Sequence, residues 1–199
     1  MASHPLVAGT VQAYVNDALF FSQNHKIEMQ PANLDQVIFK VVELAEPKLK
    51  RREVRVELPE LPSTVVEMDR VLIQRLLGNV LSNAIEASAP GSTIRLELQR
   101  LAADDASREW IRVRVIDHGA GISRENLQRI TSAYFTTKDS GDENRGFGLG
   151  LTIVQKIVSL HAGSVTVDST PGCGSTFTID LPSEPPTATP ALPARTIAA

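Results

Sequence analysis

The sequence predicts an α+β domain, a two-layer α/β sandwich whose mixed, mostly antiparallel sheet is covered on one face by helices. Three observations carry that expectation. Residues 93–101 (TIRLELQRL) and 110–116 (WIRVRVI) alternate apolar and polar side chains, the period of half-buried strands, and pair most simply as a hairpin. Residues 69–88 set Ile73, Leu76, Leu77, Val80 and Ala84 at helical spacing. The elements follow one another without a regular βαβ alternation, which favours a mixed sheet over a parallel one.

Along the chain, Val7, Val11, Val15, Ala18 and Leu19 form one apolar stripe, so residues 6–24 read as a helix ahead of the domain. Asn33 is placed to cap a second helix, with the stripe Leu34, Val37, Ile38, Val41, Val42 and Leu44/Ala45. Pro47 is expected to end or kink it, because proline lacks the N–H that the helix uses. Val54, Val56 and Leu58 alternate with charged residues as a strand, and 64–68 reads as a short one. Asp69 caps the long helix, and Ala89-Pro90-Gly91 stops it. Residues 102–108 are a polar loop. Ser123 starts a short helix to about Ile130, residues 136–147 read as a mobile loop, and a helix runs from about Leu149 to His161. Strands at 163–169 and 174–181 close the domain around Thr170-Pro171-Gly172. From Pro182 the chain is rich in proline, alanine and threonine, a composition that cannot bury a core.

Composition narrows the function. Hydrophobic residues make up 42% of the 199 and charged ones 22%, an ordinary soluble balance with enough apolar side chains for a core. The net charge of −3 argues against a nucleic-acid binder. No apolar run is long enough to span a bilayer, and the first residues lack a signal-peptide layout. With Cys173 alone there is no intramolecular disulfide, and a reducing, cytoplasmic setting is the simplest expectation.

Four local patterns carry chemistry. On the helix 69–88, Asn79, Asn83 and Glu86 share one face at i, i+4 and i+7. They offer oxygen ligands to a hard cation, or simply form a solvated polar face. Asp117-His118-Gly119-Ala120-Gly121 follows a strand directly. The carboxylate can accept a hydrogen bond from a flat ring lying against glycine backbone, or the segment is only a turn. Gly146-Phe147-Gly148-Leu149-Gly150-Leu151 opens a helix after a flexible loop. Glycine backbone and a helix N-terminus suit phosphate, but no strand runs into the segment and no Gly-Lys-Ser/Thr follows, so neither the Rossmann nor the Walker pattern applies. Gly172-Cys173-Gly174-Ser175-Thr176-Phe177 enters the last strand, as a hairpin turn also would.

In their order and context these segments resemble the GHKL ATP-binding fold (Bergerat fold) over roughly residues 33–182. LLGNVLSNAIEAS looks like its N box, DHGAG, GFGLGL and GCGSTF like its three glycine boxes, and Tyr134-Phe135-Thr136-Thr137-Lys138 like the F box of nitrogen-regulation-type histidine kinases. The resemblance implies a catalytic ATP-binding domain of a bacterial two-component sensor histidine kinase, with ATP and Mg²⁺ as cofactors. It implies that Asp117 bonds the adenine amino group, that Gly119 and Gly121 admit the ring, and that Thr176 assists near the adenine. Asn83 then ligates Mg²⁺ with Asn79 in support, Asn79, Asn83 and Glu86 take part in binding ATP, and Asn79, Lys138 and Arg145 form the catalytic set. Residues 136–147 form an ATP lid, with Gly146, Phe147, Gly148, Leu149 and Gly150 around the phosphates and Lys138 and Arg145 as the lid cations.

Gyrase, mismatch-repair and heat-shock ATPases of this fold carry a water-activating glutamate one turn before the magnesium asparagine. Here that position is Asn79, and an amide is no general base. The resemblance therefore implies ATP held for another nucleophile, a histidine on a separate dimerisation domain, and through it a response regulator. Glu86 stands where many kinases place a lysine, although Asn-Ala-Ile-Glu-Ala occurs in the nitrogen-regulation type, and this leaves one fewer cation near the phosphates. Cys173 reads as a small filler near the adenine pocket. None of His4, His25, His118 and His161 sits in a His-Glu/Asp-x-x-Thr/Asn-Pro acceptor motif. The expected organisation is a helical dimerisation remnant over 1–28, the catalytic domain over 29–182 and a disordered tail over 183–199. The expected behaviour is that of a monomer unable to phosphorylate itself, without nucleic-acid or membrane contact. A nucleotide-binding regulatory module without phosphotransfer, a serine-directed anti-sigma-type kinase and a hydrolytic ATPase are the competing readings.

Overall fold

In a computed structural model that describes residues 26–58, 62–101, 109–130 and 149–184, the main sheet has five strands. The elements are β1 (Gln30–Asn33), α1 (Leu34–Arg52), β2 (Arg55–Glu57), β3 (Val65–Met68), α2 (Arg70–Ala87), β4 (Thr93–Leu101), β5 (Trp110–Asp117), α3 (Arg124–Leu127), α4 (Gly150–Leu160), β6 (Ser164–Thr170) and β7 (Gly174–Pro182). The sheet order is β2-β4-β5-β7-β6. Only β2 and β4 are parallel; the other neighbours run antiparallel. This is the mixed, mostly antiparallel sheet that the alternation predicts. The helix over 6–24, the loops 102–108 and 136–147 and the tail beyond 184 lie outside the described residues.

Strand alternation sorts the two faces of the sheet. Ile94 and Leu96 of β4, Ile111, Val113 and Val115 of β5, and Phe177 and Ile179 of β7 turn into one core. There they meet Ile73, Leu76, Leu77 and Val80 of α2 and Ile153, Val154 and Ile157 of α4. Each such side chain contributes about 1.5–3 kcal/mol by leaving water. The other face is polar. Arg112 donates from Nε and Nη2 to the two carboxylate oxygens of Asp180, its cross-strand neighbour, at 2.7 and 2.8 Å, and Arg114 reaches Glu97 at 3.0 Å.

Three helix boundaries are settled by local chemistry. Asp69 caps α2, its Oδ1 accepting from the N–H groups of Val71 and Leu72, and its Oδ2 from Glu28 N–H. Ser123 caps α3 through Asn126 N–H. Around Asn33, by contrast, the side chain caps nothing; Leu34 N–H bonds the Thr64 carbonyl instead. That Pro47 ends the helix is corrected: α1 runs through it to Arg52. Pro47 is exposed, so the carbonyl that loses its partner can turn to water, and packing of Leu49 and Val54 holds the final turn. That turn closes as a Schellman motif, with Glu53 left-handed at φ 56° and bonds from Glu53 N–H to Lys50 O and from Val54 N–H to Leu49 O. A second correction concerns Leu44, placed in the α1 stripe but 57% exposed. The buried stripe passes through Val41 and Leu49, with Ala45 half-buried. The short strand expected at 64–68 is present as β3, and it pairs antiparallel with β1, a strand that no local pattern announces.

His161 ties α4 to α2. Its Nδ1–H donates to Ile157 O at 2.8 Å and its Nε2 accepts from Asp69 N–H at 3.0 Å. Both partners have fixed polarity, so the ring is neutral and its tautomer is set. Burial holds its pKa below the usual value for histidine, against the pull of the Ile157 carbonyl and the Asp69 carboxylate.

Candidate functional site

The end of β5, the last turn of α2 and the β6–β7 turn converge. Asp117, 3% exposed, is the last residue of β5, and its Oδ1 accepts from Gly119 N–H at 2.9 Å. Burial pushes its carboxyl above the usual aspartate range; the backbone N–H groups of Gly119 and Ser175 and the His118 ring pull the other way. The next residue, Ala120, donates its N–H to Ala87 O at 3.0 Å, and its own carbonyl accepts from Gly172 N–H at 2.8 Å. One tripeptide thus stitches α2 to the β6–β7 turn.

That approach requires glycine at two points. A Cβ on Gly119 would lie 2.2 Å from Ala87 O. At Gly121, with φ +67°, it would lie 2.0 Å from Thr170 O. Ser169 completes the floor: its Oγ accepts from Ile122 N–H at 2.8 Å and donates to Gly174 O at 2.8 Å.

On α2, Asn79 is half-buried and donates from Nδ2 to Arg75 O at 3.1 Å. Its Oδ1 faces the start of α4, where a Cβ on Gly150 would sit 3.2 Å away. Leu149, 2% exposed, is the N-cap residue of that helix and its side chain makes no capping bond. Asn83, one turn on from Asn79, is half-buried and takes no hydrogen-bond partner among the described residues. Glu86 shares their face, but its carboxylate is engaged. Lys48 of α1 pairs with its Oε1, and Ser82 Oγ lies 3.3 Å from the same oxygen. Arg52 donates to its backbone carbonyl at 2.8 Å. Burial and the neighbouring Arg51 and Arg52 lower the Lys48 pKa to about 8.

The structure therefore brings Asp117, Gly119 and Gly121 together, and Asn79 with Gly150. Lys138, Arg145, Gly146, Phe147 and Gly148 lie outside the described residues. Thr176 is a correction. It pairs in register with Ile116 and with exposed Asp168, on the sheet face opposite Asp117. Ser175, directly across from Asp117, stands on the site's face, is 5% exposed, and lies 3.0 Å from Ser169 Oγ. Adjacent strand residues point to opposite faces, so a shift of one residue changes the assignment completely. The period of β7, anchored on Phe177, was the available signal for Ser175. Nothing local pointed to Ser169, Lys48 or Arg52, whose partners are distant in sequence. Cys173 is exposed, not a filler. An open groove of about 590 Å³ between α4 and β6, lined by Gln155, Lys156 and Ser159 among others, has no lining residue in common with the site.

Residues 68–185 match the family model of the histidine kinase-, DNA gyrase B-, and HSP90-like ATPase. Sensor protein DegM of Bacillus sp. (strain B21-2) is 31% identical over 152 residues, 76% of this chain and 38% of DegM. Full-length ShkA in complex with AMPPNP superposes with a TM-score of 0.71 at 25% identity, covering 90% of this chain and 37% of ShkA. Histidine kinase ThkA in complex with response regulator protein TrrA gives 0.69 at 27%, covering 91% of this chain and 49% of that one. The chain spans 18–39% of the length of the curated relatives it matches. Among the described residues no helix is long and apolar enough to cross a membrane. With more than half of its residues matched by that model, the chain belongs to the histidine kinase-, DNA gyrase B-, and HSP90-like ATPases, as a catalytic ATP-binding domain of the sensor histidine kinase kind.

Proposed function

We propose that this domain binds Mg²⁺-ATP and delivers its γ-phosphoryl group to a histidine on a separate dimerisation domain, from which a response regulator is served in the cytoplasm. The observation that carries the reading is the amide at position 79. Asn79 is held by its bond to Arg75 O and faces the α4 start, where a water-activating family member has a carboxylate. A domain without that base preserves ATP until another nucleophile arrives. The acceptor imidazole nitrogen then bonds to the γ-phosphorus as the bond to the ADP oxygen breaks.

The residues fit nucleotide. Asp117 is a buried acceptor, oriented by Gly119 N–H to take the adenine amino group. Gly119 and Gly121 keep Cβ atoms out of the narrowest part of the floor. The N–H groups at the start of α4 favour negative charge. Asn83 has an amide oxygen without a partner among the described residues, which suits a hard cation, with Asn79 in support. Mg²⁺ bound there supplies charge neutralisation for the phosphates. Lys138 and Arg145, with Gly146, Phe147 and Gly148, complete the proposal as phosphate contacts from the lid.

The test is calorimetric titration of Mg²⁺-ATP into the chain and into Asn83→Ala and Asp117→Ala, followed by radiolabelled ATP with a matching dimerisation domain in trans. Binding lost in both variants, with acid-labile label on the added domain only, is the expected result. Binding without transfer to any acceptor domain points to the regulatory module instead.

A further inference from the structure

Glu86 raises a question that the proposed function leaves open. It lies three residues beyond Asn83, one turn along the face that meets α4 through Asn79 and Gly150. On the nucleotide reading, a carboxylate on that face adds negative charge beside the triphosphate, and like charges repel. The structure does not leave it bare. Lys48 of α1 places its ammonium on Glu86 Oε1 and on Ser82 Oγ, with Ser82 O at 3.4 Å. The two charged side chains are 25% and 19% exposed, so water screens the pair only in part. Arg52, one turn further along α1, donates to Glu86 O at 2.8 Å and so fixes the turn that carries the carboxylate. Ala87 O, the next carbonyl, holds Ala120 of the Asp117 loop. The end of α2 is thus clasped by α1 on one side and joined to the adenine pocket on the other.

We infer that Lys48 is a positioning residue for the nucleotide's phosphates: by pairing with Glu86 it cancels and turns aside a carboxylate that otherwise opposes them. The inference rests on the nucleotide reading above. It assigns to α1 a part in phosphate discrimination, although among the described residues no α1 side chain hydrogen-bonds Asp117, Asn79 or Gly150. An effect of charge must grow with the number of phosphates, whereas loss of a merely structural contact affects all ligands alike.

The experiment is titration of ATP, ADP and adenosine, with Mg²⁺, into the unmutated chain, Lys48→Met, Lys48→Arg and the double variant Lys48→Met/Glu86→Gln, with thermal unfolding of each. Lys48→Met is expected to weaken ATP binding by roughly two- to fivefold, the range for one partly screened charge. ADP should lose less and adenosine nothing. Lys48→Arg, and the double variant in which the opposing charge is gone, should bind ATP to within about twofold of the unmutated chain. Equal losses for all three ligands, or no loss in Lys48→Met, overturn the inference while the nucleotide reading stands. An unmutated chain that binds none of the ligands overturns both.

Discussion

Gly119→Ala tests the junction on which the site depends. The added Cβ would lie 2.2 Å from Ala87 O, 2.5 Å from Ala87 C and 3.0 Å from Asp117 Oδ1. Two of these are backbone atoms at the end of α2, which cannot swing aside as a side chain does. Relief requires the loop and the helix to part by about 1 Å. Two hydrogen bonds span that gap or lean on it: Ala120 N–H to Ala87 O at 3.0 Å and Gly119 N–H to Asp117 Oδ1 at 2.9 Å. Overpacking costs about 1–3 kcal/mol. Weakening one neutral and one charge-assisted bond adds about 1–2 kcal/mol. The expected destabilisation is about 3 kcal/mol, equivalent to a fall in Tm of about 6–12 °C for a domain of this size. Chemical denaturation followed by circular dichroism measures it. Titration of ATP into the folded variant should show an affinity loss of about tenfold or more, because Asp117 loses the donor that orients it. A Gly119→Ala protein within about 0.5 kcal/mol of the unmutated chain, with unchanged ATP affinity, would refute the reasoning.

Other outcomes follow from the same geometry. Ser175→Ala should weaken ATP binding and Thr176→Ala should leave it unchanged, since only Ser175 shares the face of Asp117; calorimetry of the two variants decides between them. Leu76→Ala, at a fully buried position, should cost about 2–5 kcal/mol in urea unfolding. His161 should make the domain acid-sensitive. Its folded pKa lies below the usual value of about 6.5, so stability is full above that pH and falls as the unfolded chain takes up the proton below it. Asp117 acts in the opposite sense at lower pH, because a carboxyl raised by burial loses stability as pH rises through its folded pKa. Comparing urea midpoints at pH 7.5 and 6.0 for the unmutated chain and His161→Gln isolates the histidine: the pH difference should shrink in the variant. Gly78→Ala, mid-helix with nothing within 4 Å of the new Cβ among the described residues, should stabilise by about 0.5–1 kcal/mol, read as a higher urea midpoint.

Much of the fold could be read from local pattern because it depends on local pattern. The β4–β5 hairpin follows from alternation, and the start of α2 follows from Asp69, whose carboxylate finds its partners two and three residues away. Pro47 was misread because proline's helix penalty is an average. At this exposed point, burial of Leu49 and Val54 and the Schellman closure outweigh it. β1 and β3 were harder to read as a pair, since four-residue strands form a ladder only once the chain between them has folded back. Thr176 illustrates the sensitivity of period-two structure: one residue separates it from Ser175, and only Ser175 lies across from Asp117.

What the sequence determined by itself was the set of elements, the sign of the core face on most of them, and the four motifs whose order points to a histidine kinase-type ATP-binding domain. Those depend on spacing, which is written along the chain. What tertiary structure decided was which groups are spent on one another. Glu86 is held by Lys48, 38 residues away; Ala87 O by Ala120; the His161 ring by Asp69, 92 residues away; and Ser169 bridges Ile122 and Gly174. Such pairings arise only when helices and strands distant in sequence pack, because hydrogen bonds and ion pairs act over a few ångströms in space and have no memory of distance along the chain.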